Sequence, residues 1–341
     1  MKRSGIICAG NFIVDRLRLV ESWPNQDMLT SILSESVSNG GGPFNVLKDL
    51  SALGASFPLE AAGCVGSDPD GRWIQESCRD AGIDTRQLHV IDDEHTSYTE
   101  VIIVASTGRR TFFHRRGANA LFDLRHVDFT VTPAAHFHLA YLMLLDSLDA
   151  GAPDGRTHAS QLLEKARDAG LTTSVDLVST ESPDFMGNVA SSLPFIDYLF
   201  INEIEAERAT GIRIQDNETL SLSAAREAAQ SLVAGGVKQQ VILHFSSGAI
   251  VCDVSGEVTT QEALPVPREE IRGTTGAGDA FAAGYLFGLQ HRWDTQGCLR
   301  MAVAAAAASL TDTTPSAGLR SAADCLALAD DYSSKATLSP P

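Results

Sequence analysis

The chain has little of what a disulfide-stapled, basic or membrane-spanning protein needs. Its six cysteines (Cys8, Cys64, Cys78, Cys252, Cys298 and Cys325) are scattered, with no Cys-x-x-Cys pair and no compact framework. That spacing predicts buried, reduced thiols in a cytoplasmic protein. Basic residues are outnumbered, 26 Lys and Arg against 43 Asp and Glu, for a net charge of −17. Nucleic acid and anionic membrane surfaces both need a basic face, so neither is expected as a partner. After Lys2 and Arg3 the first apolar run is cut within a few residues by Asn11 and Asp15, so neither a signal peptide nor a membrane span is expected.

Several catalytic signatures are missing too. There is no Gly-x-x-x-x-Gly-Lys-[Ser/Thr], no complete Gly-x-Gly-x-x-Gly after the first strand, no His-Glu-x-x-His, no Gly-x-Ser-x-Gly and no internal repeat. These absences exclude a P-loop enzyme and weaken a dinucleotide reading. His136 and His138 share one face of an expected strand and could ligate a metal, but no third ligand is in view and ordinary packing is the simpler account.

What is present centres on one stretch, Arg272-Gly273-Thr274-Thr275-Gly276-Ala277-Gly278-Asp279-Ala280-Phe281. Small, turn-prone residues run into an apolar segment with helical spacing, which predicts a loop feeding a helix N-terminus. The glycines let the N–H groups of Gly276, Ala277 and Gly278 converge, and the helix dipole favours an anion there. A carboxylate in such a turn, Asp279, reads either as a first-turn acid that stabilises the helix or as a general base at a site of phosphoryl transfer.

With 341 residues the chain is long enough for one large α/β domain with an appendage, or for two domains. Ile6–Ala9 reads as a first strand with Asn11 and Asp15 at its exit. Residues 27–39 read as extended and lead into Gly40-Gly41-Gly42-Pro43-Phe44-Asn45, where a helix begins and runs to Gly54. Glycines there permit close approach of a polar ligand, and the Asn45 amide offers it a donor and an acceptor. Residues 96–114 read as a β-hairpin about a Thr-Gly turn, suggesting a lid or a dimerisation sheet. From about residue 134, strands (137–145, 173–177, 198–201 and 241–245) alternate with helices (161–169 and 224–234). The fold class is therefore α/β, with a doubly wound, mostly parallel sheet. Sites belong at C-terminal strand ends, where Asn202 and Glu205 lie. The Ala-rich segment 299–310 is read as the last helix, and the tail after Tyr332 as disordered.

Together, Gly276-Ala277-Gly278-Asp279, the glycine cluster before Asn45, and Asn202-x-x-Glu205 resemble the ribokinase-like carbohydrate kinases, also called the PfkB family, from Asn11 to about residue 310. The resemblance implies ATP-dependent phosphorylation of a sugar or related alcohol, with Asp279 as base and Gly276, Ala277 and Gly278 as anion hole. It implies that Asn11, Asp15, Gly41, Gly42 and Asn45 bind the acceptor, with Arg115 reaching over it from the lid-return segment. Asn202, Glu205, His244, Gly248, Thr275, Gly276 and Gly278 fall on the nucleotide side, Glu205 ordering Mg²⁺ through water. The implied fold has a core of 1–14, 46–95 and 118–332, a small β lid of 15–45 and 96–117 through which two copies could pair, and a tail of 333–341. Two positions depart from the family. Gly273 stands where many members have an aspartate that helps hold a monovalent cation, leaving potassium activation open. His244-Phe245-Ser246-Ser247-Gly248 is one residue shorter than the usual nucleotide-side strand end, so adenine contacts there do not carry over. A nucleoside kinase on the same scaffold and a non-catalytic sugar-binding relative remain as alternatives.

Overall fold

The structure, a computed structural model, describes residues 3–182, 184–216 and 219–338. Its first ten strands are β1 (Ile6–Gly10), β2 (Ile13–Val20), β3 (Ile32–Gly40), β4 (Leu59–Gly66), β5 (Asp84–Ile91), β6 (Tyr98–Val104), β7 (Arg110–Arg115), β8 (His136–Leu142), β9 (Thr172–Leu177) and β10 (Tyr198–Asn202). A short hairpin, β11 (Gln215–Asp216) and β12 (Thr219–Leu220), precedes β13 (Gln240–Phe245), β14 (Gly248–Asp253) and β15 (Val258–Glu262). The helices are α1 (Gly42–Ala52), α2 (Pro69–Asp80), α3 (Asp146–Asp149), α4 (His158–Asp168), α5 (Phe185–Ser192), α6 (Glu203–Thr210), α7 (Leu222–Ala234), α8 (Ala277–Gln290), α9 (Thr295–Ser309) and α10 (Ala322–Leu338).

Nine strands form one sheet in the order β15-β14-β13-β10-β9-β8-β1-β4-β5. Its strands from β13 to β5 run parallel, and β14 and β15 add an antiparallel edge. Parallel strands covered on both faces must be apolar on both, and every residue of β1 and β4 is buried. The pleat divides them: Ile6 and Cys8 join a core with α1, α2, α8, α9 and α10, while Ile7 and Ala9 join another with α4 to α7. All six cysteines are buried and unbridged. His136 and His138 are packing residues: both rings lie within 2.8 Å of the Ser174 hydroxyl, and burial drives their pKa values down to about 4 and about 3. Among the described residues no helix is long and apolar enough to cross a membrane.

A separate four-stranded sheet, ordered β3-β2-β6-β7, stands over the carboxyl ends of the parallel strands. Asp15 lies within β2 of this sheet rather than at the exit of β1, and Asn11 lies in the connection between the two. Segment 333–338, expected as part of a disordered tail, continues α10 to Leu338. The cause is an apolar stripe at helical spacing, Cys325, Ala329 and Tyr332, which buries the preceding turns against the core.

Helices α8 and α9 pack closely because Gly284 has no side chain: a Cβ there would lie 2.6 Å from the Met301 carbonyl oxygen and 2.8 Å from Ala302 Cα. Gly284→Ala is expected to cost about 1–3 kcal/mol by overpacking, despite alanine's better helix propensity. The urea midpoint checks it, and an unchanged or raised midpoint contradicts the packing account.

Candidate active site

The N-cap of α8 is Gly276, whose φ of 80° is the left-handed conformation that disfavours a side chain; a Cβ there would also strike Pro315 at 2.5 Å. The turn therefore places the first N–H groups of α8, unpaired within the helix, at the floor of a cleft. Two cavities meet there. One, of ≈ 410 Å³, is mainly apolar, walled by Ile204, Phe245, Leu264, Phe281, Val303 and Leu310. The other, of ≈ 670 Å³, lies under the four-stranded sheet and holds Asp15, Asn45, Tyr141, Asp176, Glu205 and Asp279. Asn202, His244 and Gly278 line both. His244 is pushed down to about 4 by burial and so is a neutral ring. Gly248 lines the apolar cavity, and Thr275 and Gly276 line the polar one.

Asp279 is buried at the junction. The Tyr141 hydroxyl donates to its carboxylate, 2.7 Å from Oδ1 and 2.8 Å from Oδ2, and Asn45 Nδ2 donates to Oδ2 at 2.7 Å. Burial raises the pKa of this carboxyl to about 6, while the Asn45 and Tyr141 hydrogen bonds hold it down. Asn45 Oδ1 accepts from Asn39 Nδ2 at 2.7 Å, which fixes the amide with its donor toward Asp279.

Tyr141 was not singled out by sequence, because the strand was expected to continue to residue 145. β8 stops at Leu142, which makes Tyr141 a residue of the strand's carboxyl end. Two residues expected on the acceptor instead support Tyr141. Asn11 is fully buried, its Oδ1 accepting from the Tyr141 N–H at 2.9 Å and its Nδ2 donating to the Leu144 carbonyl at 3.1 Å. Gly42 leaves room for the tyrosine ring, since a Cβ would lie 3.0 Å from Tyr141 Cε1. Neither lines the cleft, whereas Gly41, Asn45 and Asp15 do.

The lid register explains a second difference. Asp15 pairs with Thr99, and Thr99 with His114, so these three side chains form a row on the cleft face. Arg115 pairs with Tyr98, one position off, so it takes the opposite face and is exposed. Arg110 shares the parity of His114 and hydrogen-bonds the Thr274 hydroxyl at 3.1 Å and that of Thr275. It is the lid arginine that reaches the anion loop. A Cβ on Gly273 would lie 3.2 Å from Arg110 Nη2 and 2.8 Å from the Asp312 carbonyl oxygen, so this loop has no room for a side chain at 273. Alternating strand parity, counted from Asp15 and Thr99, is the signal that separates Arg110 from Arg115.

Asn202 and Glu205 form a capping box at the start of α6: Asn202 Oδ1 accepts from the Glu205 N–H at 2.9 Å and Glu205 Oε2 from the Asn202 N–H at 3.0 Å. Glu205 Oε1 accepts from Ser179 Oγ at 2.9 Å. Both glutamate oxygens are thus engaged, and burial raises the carboxyl's pKa. Among the described residues no group of three or more His, Cys, Asp or Glu side chains is placed to hold a metal. With both Glu205 oxygens engaged, Asn202 and Glu205 fit a cation only at one remove, through water.

Comparison with known proteins agrees with this geometry. Residues 3–322 match the model of the pfkB family carbohydrate kinases. A fructokinase from Salmonella typhimurium is 25% identical over 275 residues, covering 78% of this chain and 83% of its own. Adenosine kinase 1 from Arabidopsis thaliana is 23% identical over 248 residues, covering 70% and 68%. The Arabidopsis thaliana ribokinase solved with ribose and ATP superposes with a TM-score of 0.78 at 21% identity, over 96% of this chain and 99% of that one.

Because a hydrogen bond to a charged carboxylate favours the ionised form, Tyr141→Phe is expected to raise the Asp279 pKa by about 1–2 units. Carbon-13 NMR of aspartate-labelled protein reads this directly. An unmoved Asp279 resonance contradicts the role given to the tyrosine.

Proposed function

The chain belongs to the pfkB family of carbohydrate kinases, and from that premise we propose that it transfers the γ-phosphate of ATP to a hydroxyl of a small carbohydrate with Asp279 as general base. The observation that carries the reading is the place of Asp279, buried where the two cavities meet and held by Asn45 and Tyr141 at the start of α8. The apolar cavity suits the adenine ring, and the acid-walled cleft suits the acceptor. A carboxyl at about 6 is ionised at neutral pH yet basic enough to share a proton in the transition state.

Asp279 takes the proton of the attacking hydroxyl as its oxygen bonds the γ-phosphorus and the bond to the ADP oxygen breaks. The first-turn N–H groups of α8 take up charge growing on the transferred group, and Arg110 brings a guanidinium to the same loop. Asn202 and Glu205 would hold, through water, a Mg²⁺ bound with the nucleotide, which would supply neutralisation of the phosphate charge. Asp15 and Asn45 orient the acceptor. A nucleoside kinase is the second reading, favoured by Phe112, Ile13 and Leu144, which give the cleft an apolar strip on which a base could lie. A non-catalytic sugar binder would have no use for Asp279 held by the Asn45 amide and the Tyr141 hydroxyl.

The test is ATP consumption by the purified chain over free sugars and nucleosides, with and without potassium. Asp279→Asn is expected to lower kcat by about 10²–10⁴-fold with little change in nucleotide affinity, and undiminished transfer by this variant would sink the assignment. Arg110→Ala is expected to lower kcat about 10²-fold, whereas Arg115→Ala leaves it unchanged. The reverse order would show that the lid parity is misread. Since Asp279 acts ionised, turnover is expected to be full above its pKa and to fall as pH drops through about 6.

A further inference from the structure

The reading that follows rests on the phosphotransfer just proposed and concerns the charge of the acceptor. The cleft under the lid is walled by Asp15 from β2, Asp176 from the end of β9 and Asp279 from α8, with Glu205 behind them. No lysine or arginine among the described residues lines it. The nearby cations are otherwise engaged or turned away. Arg116 pairs with Asp146 at 2.8 Å, Arg115 is on the far face of β7, and Arg110, though on the cleft face of β7, does not line the cleft and is committed to the Thr274 and Thr275 hydroxyls at the loop before α8. His114 adds no positive charge, because burial and then Arg116 hold its pKa down.

Such a wall is costly when empty. Burial, and after it the charge of Asp279, drives Asp15 up to about 7 even though Thr99 hydrogen-bonds it. Asp176 rises for the same reasons, burial first and then the charges of Asp279 and Glu205. Carboxylates crowded in this way are relieved by hydrogen-bond donors or by a cation and are worsened by a further anion. Thr99 Oγ1 lies 3.0 Å from His114 Nδ1, and His114 Nε2 has no partner, so the row has acceptor capacity to spare.

We infer that the acceptor is a polyhydroxy compound without negative charge, either uncharged or bearing an amine, held by Asp15 in this cation-free cleft, and that sugar acids and sugar phosphates are rejected. Recognition is by donors: hydroxyls, or an ammonium beside them, meet Asp15, while the reacting hydroxyl faces Asp279. The single charge decides more than shape does, because a carboxylate or phosphate ester on the same skeleton would stand against at least two fixed carboxyl groups with no cation to receive it.

The experiment offers the full-length chain pentose, hexose and nucleoside skeletons, each as the free alcohol, an amine that stays protonated to pH 9, the carboxylic acid and the phosphate ester. Binding is read by calorimetry and turnover by ADP release with Mg-ATP. On the skeleton that binds best, the uncharged or amine form is expected to exceed the acid and the ester by at least about 100-fold, in line with the cost of an unpaired like charge at a buried site. The two favoured arms separate a neutral polyol from an amino alcohol. An acid or ester as the best ligand overturns the inference and leaves the kinase reading standing. The expected binding order with no phosphoryl transfer on any skeleton overturns the kinase reading and supports the charge rule. In Asp15→Asn, which keeps the shape and removes the charge, discrimination against the acid should shrink at least tenfold. Unchanged discrimination with retained nucleotide binding overturns the role of Asp15, and the binding order of the unaltered chain decides the matter if the variant does not fold.

Discussion

The organisation of this molecule follows from keeping one carboxylate, that of Asp279, buried but able to ionise. Removing a carboxylate from water without compensation costs several kcal/mol, and a group left to pay that cost simply stays protonated. Here burial raises the pKa, hydrogen bonds from Asn45 and Tyr141 hold it down, and the result is a carboxyl at about 6. Each donor must itself be aimed. Asn39 orients the Asn45 amide, while Asn11 and the missing side chain of Gly42 seat Tyr141. Asn11 and Gly42, which resemblance places on the acceptor, thus fix a group that fixes Asp279.

The α1 helix contributes in a second way. One turn beyond Asn45, Asp49 is fully buried and neither of its carboxyl oxygens has a hydrogen-bond partner. Burial raises its pKa, and Asp279 lies near enough for its charge to push the same way. A carboxyl buried without donors thus stands one turn beyond the amide that holds Asp279.

Sequence shows best those features that one residue's own chemistry enforces. A left-handed turn before a helix demands glycine, so Gly276 and Gly41 stand out; a side-chain oxygen ahead of a helix with glutamate three residues on reads as Asn202 and Glu205. Alternating β and α segments disclose the parallel sheet because only crossover helices join parallel strands. Features set by register are hidden. Arg110 and Arg115 are equally good candidates until the pairing of β6 with β7 assigns each a face, and a one-residue shift exchanges them. Tyr141 depends on where β8 ends, and strand ends are poorly fixed by apolar runs alone; Asp176 lies in a strand whose end, Leu177, the sequence does show, but nothing in its own pattern marks it as a cleft residue. The last helix escapes notice because its stripe, Cys325, Ala329 and Tyr332, is of small or amphipathic residues with little apolar contrast.

A net charge of −17 and an anion-binding floor coexist because the two act over different distances. At physiological ionic strength the field of distant surface charges is screened beyond about 8 Å. A group at the start of α8 therefore feels the N–H groups there and Arg110 beside them, not the chain total. Within the site the sign reverses again across a few residues: N–H groups and the Arg110 guanidinium at the loop before α8, carboxyl groups under the lid. Asp279 belongs to both ends. Burial raises its pKa and the Asn45 and Tyr141 hydrogen bonds hold it down, so its affinity for a proton is set by the balance of the two.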